Sequence, residues 1–183
     1  MIFGDSLILR KIFKRGLLKN GKESMVNPAS VNLCLGNTFL IPETEPFGVA
    51  LGDKLEYRRF EIRDDQCFTL KPGQFCLATT KEAVTMPPNV AAFVQGRSSI
   101  GRIGLTVQNA GFVDPGFHGH ITLELVNESE NAILLRPTYP LAQLVFFTCK
   151  GVRHGYSGKY NGQIEATGSR MEQDAQKYPN LFI

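Results

Sequence analysis

The pattern of apolar and polar residues changes its period early in the chain. Apolar side chains recur at nearly helical spacing within residues 6–18, at Leu7, Ile8, Ile12, Phe13 and Leu17. Gly16 and Gly21 flank the end of this stretch, and glycine commonly follows the last turn of a helix. The spacing therefore predicts one short helix between Ser6 and Leu18.

After this helix, short apolar runs of strand length dominate the chain. They occupy residues 31–35, 39–41, 68–70, 75–80, 90–94, 121–126, 133–135 and 144–147. Most of them end at turn residues, such as Lys71-Pro-Gly73 and Arg136-Pro137. Many short strands separated by Gly and Pro turns predict a mainly β protein, built as a sandwich or a barrel.

Two stretches lack a clear period. Residues 43–65 mix Pro, Gly and charged residues, and we expect a long loop or a mobile hairpin there. Residues 151–183 are rich in Gly and polar residues, and they form either a frayed end or a flap that closes over a ligand. A chain of 183 residues supports one domain with a real core, so we expect residues 1–183 to form a single domain.

The composition narrows the class of protein. Hydrophobic residues make up 43% and charged residues 20%, which is typical of a globular protein. The net charge of +3 lacks the dense basic stripe of a nucleic-acid-binding protein. The chain shows neither a secretory leader nor an apolar run of about 18 residues, so we expect a cytoplasmic protein without membrane contact.

The four cysteines are isolated from one another. They lie at positions 34, 67, 76 and 149, and no pair has the two-residue spacing of a zinc site. In a reducing compartment, isolated cysteines are typical of small buried side chains. We therefore expect no disulfide, no zinc and four buried thiols.

Residues 95–102 have the composition of an anion site. The run Gln95-Gly-Arg-Ser-Ser-Ile-Gly-Arg102 places two guanidinium groups and two hydroxyls beside glycines. Arginine forks, serine hydroxyls and exposed backbone amides all suit phosphate oxygens. By itself the run is equally typical of a solvated turn with incidental arginines.

A carboxylate follows in each of the next two segments. Asn109-Ala-Gly-Phe-Val-Asp-Pro-Gly-Phe117 describes a tight loop in which Asp114 either caps a turn or binds a sugar hydroxyl. In the strand 120–126, alternation puts Thr122 and Glu124 on the face opposite the leucines. Glu124 is a solvated residue if that face is exposed, and a group suited to proton transfer if the face lines a pocket.

Taken together, these segments resemble the dCTP deaminase family. The resemblance rests on residues 96–105, Gly-Arg-Ser-Ser-Ile-Gly-Arg-Ile-Gly-Leu, and on residues 108–125, Gln-Asn-Ala-Gly-Phe-Val-Asp-Pro-Gly-Phe-His-Gly-His-Ile-Thr-Leu-Glu-Leu. It extends back to residues 27–36 and forward through residues 142–144 to 156–163. Gly111-Phe112 resembles the bifunctional branch, which converts dCTP to dUMP.

The resemblance implies a fold, an assembly and a set of nucleotide contacts. The implied fold is a distorted β-barrel or jelly-roll of the trimeric dUTPase (β-clip) type, and the implied assembly is a homotrimer with sites at subunit interfaces. Carried over by position, the triphosphate would contact Arg97, Ser98, Ser99, Ile100, Gly101 and Arg102. Later in the chain it would be clamped by Gln143, Tyr156, Lys159 and Gln163.

The implied base and sugar contacts lie between these two groups. Asp114 would meet the deoxyribose, and the backbones of Ala110 and Val113 would meet the base. Thr122 and Glu124 would flank the reacting carbon, and Leu123 between them would also bind the nucleotide.

The implied chemistry uses no zinc at the base. Glu124 would take a proton from the water that attacks C4 of cytosine, whereas the zinc deaminases need His-x-Glu and Pro-Cys-x-x-Cys patterns that this sequence lacks. A Mg²⁺ would sit on the triphosphate oxygens. In the bifunctional branch, water oriented near Asp114 would also cleave between the α and β phosphates.

Several positions depart from the family pattern and keep alternatives open. Val107-Gln-Asn-Ala110 replaces the His-x-Thr-Ala of many monofunctional deaminases, and Phe112 replaces an Arg. Asn32 and Cys34 replace a common Asp and Arg, and Glu165 replaces a Gly in the closing motif. The alternatives to the bifunctional enzyme are a dUTPase acting on dUTP only, a deaminase that stops at dUTP, and a non-catalytic nucleotide-binding regulator.

Overall fold

The computed structural model describes residues 1–108 and 111–178. Within these ranges it is built mainly of strands, each named here with its bounds: β1 (Leu18–Lys19), β2 (Val26–Asn27), β3 (Ser30–Pro42), β4 (Tyr57–Glu61), β5 (Phe68–Leu70), β6 (Phe75–Thr85), β7 (Val90–Gly96), β8 (Leu105–Gln108), β9 (Phe112–Val113), β10 (His118–Asn127), β11 (Ile133–Leu135) and β12 (Pro140–Thr148). All the predicted apolar runs lie in these strands.

The helices are short. The α-helices are α1 (Asp5–Ile8), α2 (Ser98–Gly101) and α3 (Glu172–Lys177). A π-helical turn at Leu9–Phe13 continues α1, and a 3₁₀ turn covers Glu23–Met25. The predicted N-terminal helix is therefore confirmed, but it ends before Leu18, because Gly16 adopts a φ of 65° and Leu18 pairs with Val84 of β6.

One large sheet carries most of the chain. Its strand order is β8-β10-β6-β3-β12-β7-β9, and β1, β2 and β4 pair at its margins. The long strand β3 joins the two halves, because residues 31–34 pair with β12 and residues 35–40 pair with β6. The sheet curls into a half-barrel, which confirms the predicted mainly β fold with a short N-terminal helix.

The core lies inside this curl. Its largest fully buried side chains include Phe3, Phe39 and Phe146. Phe39 stacks on Phe68 of the small β5–β11 sheet at 4.4 Å between ring centroids. This contact joins the small sheet to the large sheet, and Phe3, just before α1, stacks on Phe146 of β12.

The region at residues 43–65 forms a hairpin. β4 returns along β3 with Thr38 opposite Glu61 and Pro42 opposite Tyr57, and residues 43–56 connect the two strands. This confirms the hairpin rather than the long loop. The strand escaped the sequence pattern because its burial is only partial, with exposed arginines at Arg58 and Arg59.

Two other observations complete the fold. The four cysteines are free, but the expectation of four buried thiols is wrong, because Cys67 is exposed and Cys149 is half-buried. Within the described part of the chain, no helix has the length and apolarity required to cross a membrane.

Candidate active site

A cavity of about 490 Å³ lies between β10, the loop that follows β9 and the C-terminal tail. This volume is in the range of small-molecule binding sites. The lining is mostly apolar and includes Leu77, Gly111, Phe112, Val113, Asp114, Phe117, Ile121, Thr122, Glu124, Tyr156, Gln163 and residues 167–169. None of the described lining residues carries a positive charge.

Glu124 reaches the cavity through the alternation of β10. Leu123 and Leu125 are fully buried in the core, whereas Thr122 and Glu124 point to the other face. Loss of hydration raises the pKa of the Glu124 carboxyl above its usual range. A half-buried carboxylate that opens into a cavity can exchange protons with a bound molecule.

Thr122 is held beside Glu124 by the tail. Its hydroxyl oxygen accepts a hydrogen bond from the Thr167 amide at 3.1 Å and lies 3.5 Å from Oε1 of Gln163. The amide nitrogen of the Gln163 side chain donates to His120 O at 2.6 Å. These bonds bring the two parts of the predicted site, strand 120–126 and the tail, into one cavity.

The loop at residues 111–117 forms another wall. Gly111 O accepts a hydrogen bond from Val94 N at 2.8 Å, which pins the loop to β7. Asp114 O closes a turn by accepting from Phe117 N, and its half-buried carboxyl lies at the cavity. Phe112 is exposed and packs edge-on against Phe93 at 5.3 Å between ring centroids.

The tail packs on the body of the protein across much of its described length. Tyr156 N donates to Pro115 O at 2.7 Å, and Gly116 lies so close to Gly155 that a Cβ on Gly116 would be 2.8 Å from its Cα. Ala166 is 5% exposed. For residues 155–170 the interpretation as a frayed end is therefore wrong, whereas closure of a mobile flap stays a prediction.

The predicted phosphate segment lies away from this cavity. Arg97 donates to Pro140 O at 2.9 Å, and α2 follows with Ile100 buried. Arg102 lies in a separate depression with Ser129 and Asn131. None of the segment's predicted contact residues lines the cavity, namely Arg97, Ser98, Ser99, Ile100, Gly101 and Arg102.

Three other predicted residues, Gln143, Lys159 and Leu123, also fall outside the cavity lining. Gln143 accepts a hydrogen bond from Ser30 at 3.1 Å, and Lys159 pairs with Asp174. The Leu123 side chain is fully buried, so a nucleotide could meet only its backbone. Ala110 lies outside the described residues.

The sequence missed several residues that line the cavity. Tyr57 and Leu77 are contributed by β4 and β6, which pack there through long-range pairing and carry no local signal of a site. Tyr160 and residues 167–169 lie in parts of the tail that the sequence marks only through its resemblance to the family. A repeated set of aromatic and small residues after position 155 was the available signal.

No group of three or more His, Cys, Asp or Glu side chains in the described ranges is placed to hold a metal ion. Asp114 and Glu124 nevertheless supply carboxylate oxygens, which Mg²⁺ prefers, at the cavity. The donor set fits an ion that is held largely by phosphate oxygens and water.

Comparison with known proteins finds relatives that match most of this chain. A family model described as dCTP deaminase-like matches residues 2–149. The chain is 41% identical over 178 residues to a protein of Persephonella marina named "dCTP deaminase, dUMP-forming", covering 95% of this chain and 99% of that protein. It is also 41% identical over 184 residues to a protein of the same name from Aquifex aeolicus, covering 96% and 98% of the two chains.

A solved structure shares the fold. The 2′-deoxycytidine 5′-triphosphate deaminase of Agrobacterium tumefaciens superposes with a TM-score of 0.64 at 21% identity. The superposition covers 79% of this chain and 47% of that longer chain. The family match across residues 2–149 and the 41% identity over nearly the whole length show that this chain belongs to the dCTP deaminase-like family.

Proposed function

We propose that this protein is an enzyme that converts dCTP and two molecules of water to dUMP, ammonia and pyrophosphate. The observation that carries the proposal is Glu124, a carboxyl of raised pKa that faces a cavity of nucleoside size beside Thr122. Relatives of nearly equal length that are named as dUMP-forming support the second step.

In the deamination step, Glu124 is the general base. Its carboxylate takes a proton from a water, and the resulting hydroxide attacks C4 of cytosine to give a tetrahedral carbon. Glu124 gives that proton to N3 of the ring, then takes the proton of the new C4 hydroxyl and delivers it to the departing nitrogen. The C4–N bond breaks, ammonia leaves and uracil remains, so the carboxyl ends as it began.

Thr122 and the 111–114 loop orient the base for this attack. The Thr122 hydroxyl is already fixed by Thr167, and the backbones of Val113 and Ala110 would offer hydrogen bonds to the pyrimidine edge. Fixed polar groups lower the cost of organising the site during reaction. Gly111 and Phe112 shape the turn that leads into Asp114, and we assign the second activity to this turn.

In the second step, water attacks the α phosphorus and pyrophosphate leaves. Asp114 lies at the cavity where it would orient this water and contact the deoxyribose. A Mg²⁺ bound on the triphosphate supplies charge neutralisation. Tyr156, Lys159 and Gln163 of the tail would close on the phosphates from this side.

The remaining phosphate contacts require a second copy of the chain. The cavity lacks a described positive lining residue, whereas Ser98, Ser99 and Arg102 are exposed and Arg97 is half-buried elsewhere on the protein. A symmetric homotrimer would bring this segment of one copy, together with Gln143, to the cavity of its neighbour. Such an arrangement places guanidinium groups opposite the triphosphate.

A product assay tests the proposal. Purified protein is incubated with Mg²⁺ and either dCTP or dUTP, and ammonia, pyrophosphate and the nucleotides are measured. The proposal predicts ammonia and pyrophosphate from dCTP in equal amounts, with dUMP as the nucleotide product. Ammonia with accumulating dUTP identifies a deaminase alone, turnover of dUTP only identifies a dUTPase, and binding without turnover identifies a regulator.

A further inference from the structure

The tail is held over the cavity by β4, the second strand of the hairpin at residues 43–65. Residues 165–169 make three contacts with the body of the protein, two of them with β4 and the third with β3 and β6, and we name this segment the latch. At its first residue, Glu165 accepts hydrogen bonds from Nη2 and Nε of Arg59 at 2.7 and 3.2 Å. Both side chains are about half exposed, so this ion pair is accessible to solvent.

The second contact is a backbone hydrogen bond to a tyrosine. The Tyr57 hydroxyl accepts from Ser169 N at 3.0 Å, and the Tyr57 ring lies against Gly168. A Cβ on Gly168 would be 2.5 Å from Cε2 of that ring. The chain therefore passes as close to the ring as a glycine allows.

The third contact is apolar. Ala166 is 5% exposed and packs with Leu40 and Leu77 in a small cluster separate from the main core. Tyr57 and Phe75 pack against the same cluster. The latch thus covers apolar surface of β3 and β6 that would otherwise face water.

The latch reaches the reacting end of the cavity. Thr167, between the apolar contact and the tyrosine contact, donates its amide to the Thr122 hydroxyl at 3.1 Å. Thr122 and Glu124 lie two residues apart on the same face of β10, and Leu77 stands directly opposite Glu124 in the β10–β6 pairing. Holding the latch therefore fixes Thr122 and covers the surface next to the carboxyl.

We propose that Tyr57 and Arg59 are positioning residues for the deamination, which act by holding the latch of residues 165–169 against β10. Arg59 lies outside the cavity lining, and the Tyr57 hydroxyl is engaged by Ser169 N. Their effect runs through Thr167 to the Thr122 hydroxyl, and through Ala166 to the exclusion of water near Glu124. The proposal rests on the proposed function.

The first test measures the latch without reference to activity. Amide hydrogen exchange at Thr167 and Ser169 is followed in the full-length protein without nucleotide, for Tyr57→Phe and Arg59→Ala. Exchange should become about 3- to 10-fold faster in each variant, the change that the loss of one net hydrogen bond produces. Arg58→Ala is the matched control, because Arg58 is the next residue of β4 and lies 3.6 Å from Glu43, away from the latch.

The second test asks whether the latch acts on catalysis. With dCTP, kcat should fall in Tyr57→Phe and Arg59→Ala by more than in Arg58→Ala. The acid limb of the pH profile should move to lower pH, because water entering beside Glu124 lowers its raised pKa. The charge-swapped pair Arg59→Glu with Glu165→Arg should restore both the slow exchange and the acid limb.

The two proposals fail in different ways. Wild-type protein that leaves dCTP unchanged contradicts the proposed function. If the wild type converts dCTP, but Tyr57→Phe and Arg59→Ala match Arg58→Ala in exchange rate, kcat and acid limb, only the latch proposal is overturned. Faster exchange with an unmoved kcat and pH profile also overturns it, because the latch would then be only a structural contact.

Discussion

Two glutamates on neighbouring strands share a raised pKa and differ in everything around them. Glu124 of β10 and Glu82 of β6 are each shifted chiefly by loss of hydration. Glu124 is half-buried and lines the cavity, whereas Glu82 is 4% exposed and is not among the described residues that line it. Burial has raised the pKa of both carboxyls, but only Glu124 combines a raised pKa with a place at the cavity.

The surroundings of Glu82 form a closed polar cluster. Its Oε2 accepts a hydrogen bond from Cys34 N at 2.8 Å, and its backbone oxygen accepts from the Thr80 hydroxyl at 2.7 Å. His120 lies 2.8 Å from Thr80 O through Nδ1, and its charge partly offsets the rise in the Glu82 pKa. These bonds tie β3, β6 and β10 together, so Glu82 acts in the structure of the sheet.

A raised pKa alone therefore does not identify a catalytic group in this protein. Burial raises the pKa of a carboxyl whether or not a substrate can reach it. What distinguishes Glu124 is access, because a cavity of nucleoside size opens at its carboxyl and a hydroxyl from Thr122 stands beside it.

Glu124→Gln should lower kcat for deamination by about 10²–10⁴-fold, the usual contribution of a general base. Nucleotide binding should persist, because the substitution leaves the phosphate contacts unchanged. Glu82→Gln is the control and should keep a rate close to wild type. Ammonia release and dCTP binding are measured on all three proteins, and equal losses of rate in both variants would contradict the distinction.

The pH dependence of kcat/KM should also report the ionisation of the Glu124 carboxyl. The general base works as the carboxylate, so activity should fall as the pH drops through its pKa. Because burial raises this pKa, the acid limb should lie above the ordinary value of 4.5. The pH profile of Glu82→Gln should superimpose on that of the wild type. An acid limb of the wild type at or below pH 4.5 would exclude Glu124 as the general base.

Glu82 should instead affect the pH dependence of stability. Its folded pKa is raised, so its contribution to stability is complete below the unfolded value of 4.5 and is lost as the pH rises through the folded pKa. Glutamine cannot ionise, so the free energy of unfolding of Glu82→Gln should fall less steeply than that of wild type above pH 4.5. Urea denaturation from pH 4 to pH 8 measures how the free energy of unfolding of each protein depends on pH. Parallel curves for the two proteins would contradict a raised pKa of Glu82.

The smallest effect is expected in the alkylation rate of Cys34, which measures how well the cluster around Glu82 excludes solvent and reagent. Burial, and then the charge of Glu82, raise the pKa of the Cys34 thiol to about 11, and burial raises that of Cys76 to about 12. In alkylation at pH 8 the exposed Cys67 should react first. Glu82→Gln should speed the labelling of Cys34 only slightly, because burial is the larger cause, and rapid labelling would mean that the cluster opens.

The local pattern of residues predicted those features that depend on neighbours in sequence. The helix near the N-terminus follows from the spacing of Leu7, Ile8 and Ile12, and the orientation of Glu124 follows from the alternation of β10. The run at residues 96–125 was long enough to identify the family. For the helix and for β10 the information lies within a few turns or one strand, where the geometry of the backbone alone decides which side chains share a face.

Features that depend on distant partners needed the tertiary structure. The sequence separates the apolar runs at residues 31–35 and 39–41, but β3 joins them into one strand that is almost wholly buried and pairs with different strands on either side of Gly36-Asn37. The separation of Arg97 from the cavity and the docking of the tail on Tyr57 also join residues far apart in sequence. Such contacts depend on how the whole sheet curls, and no local period records that curl.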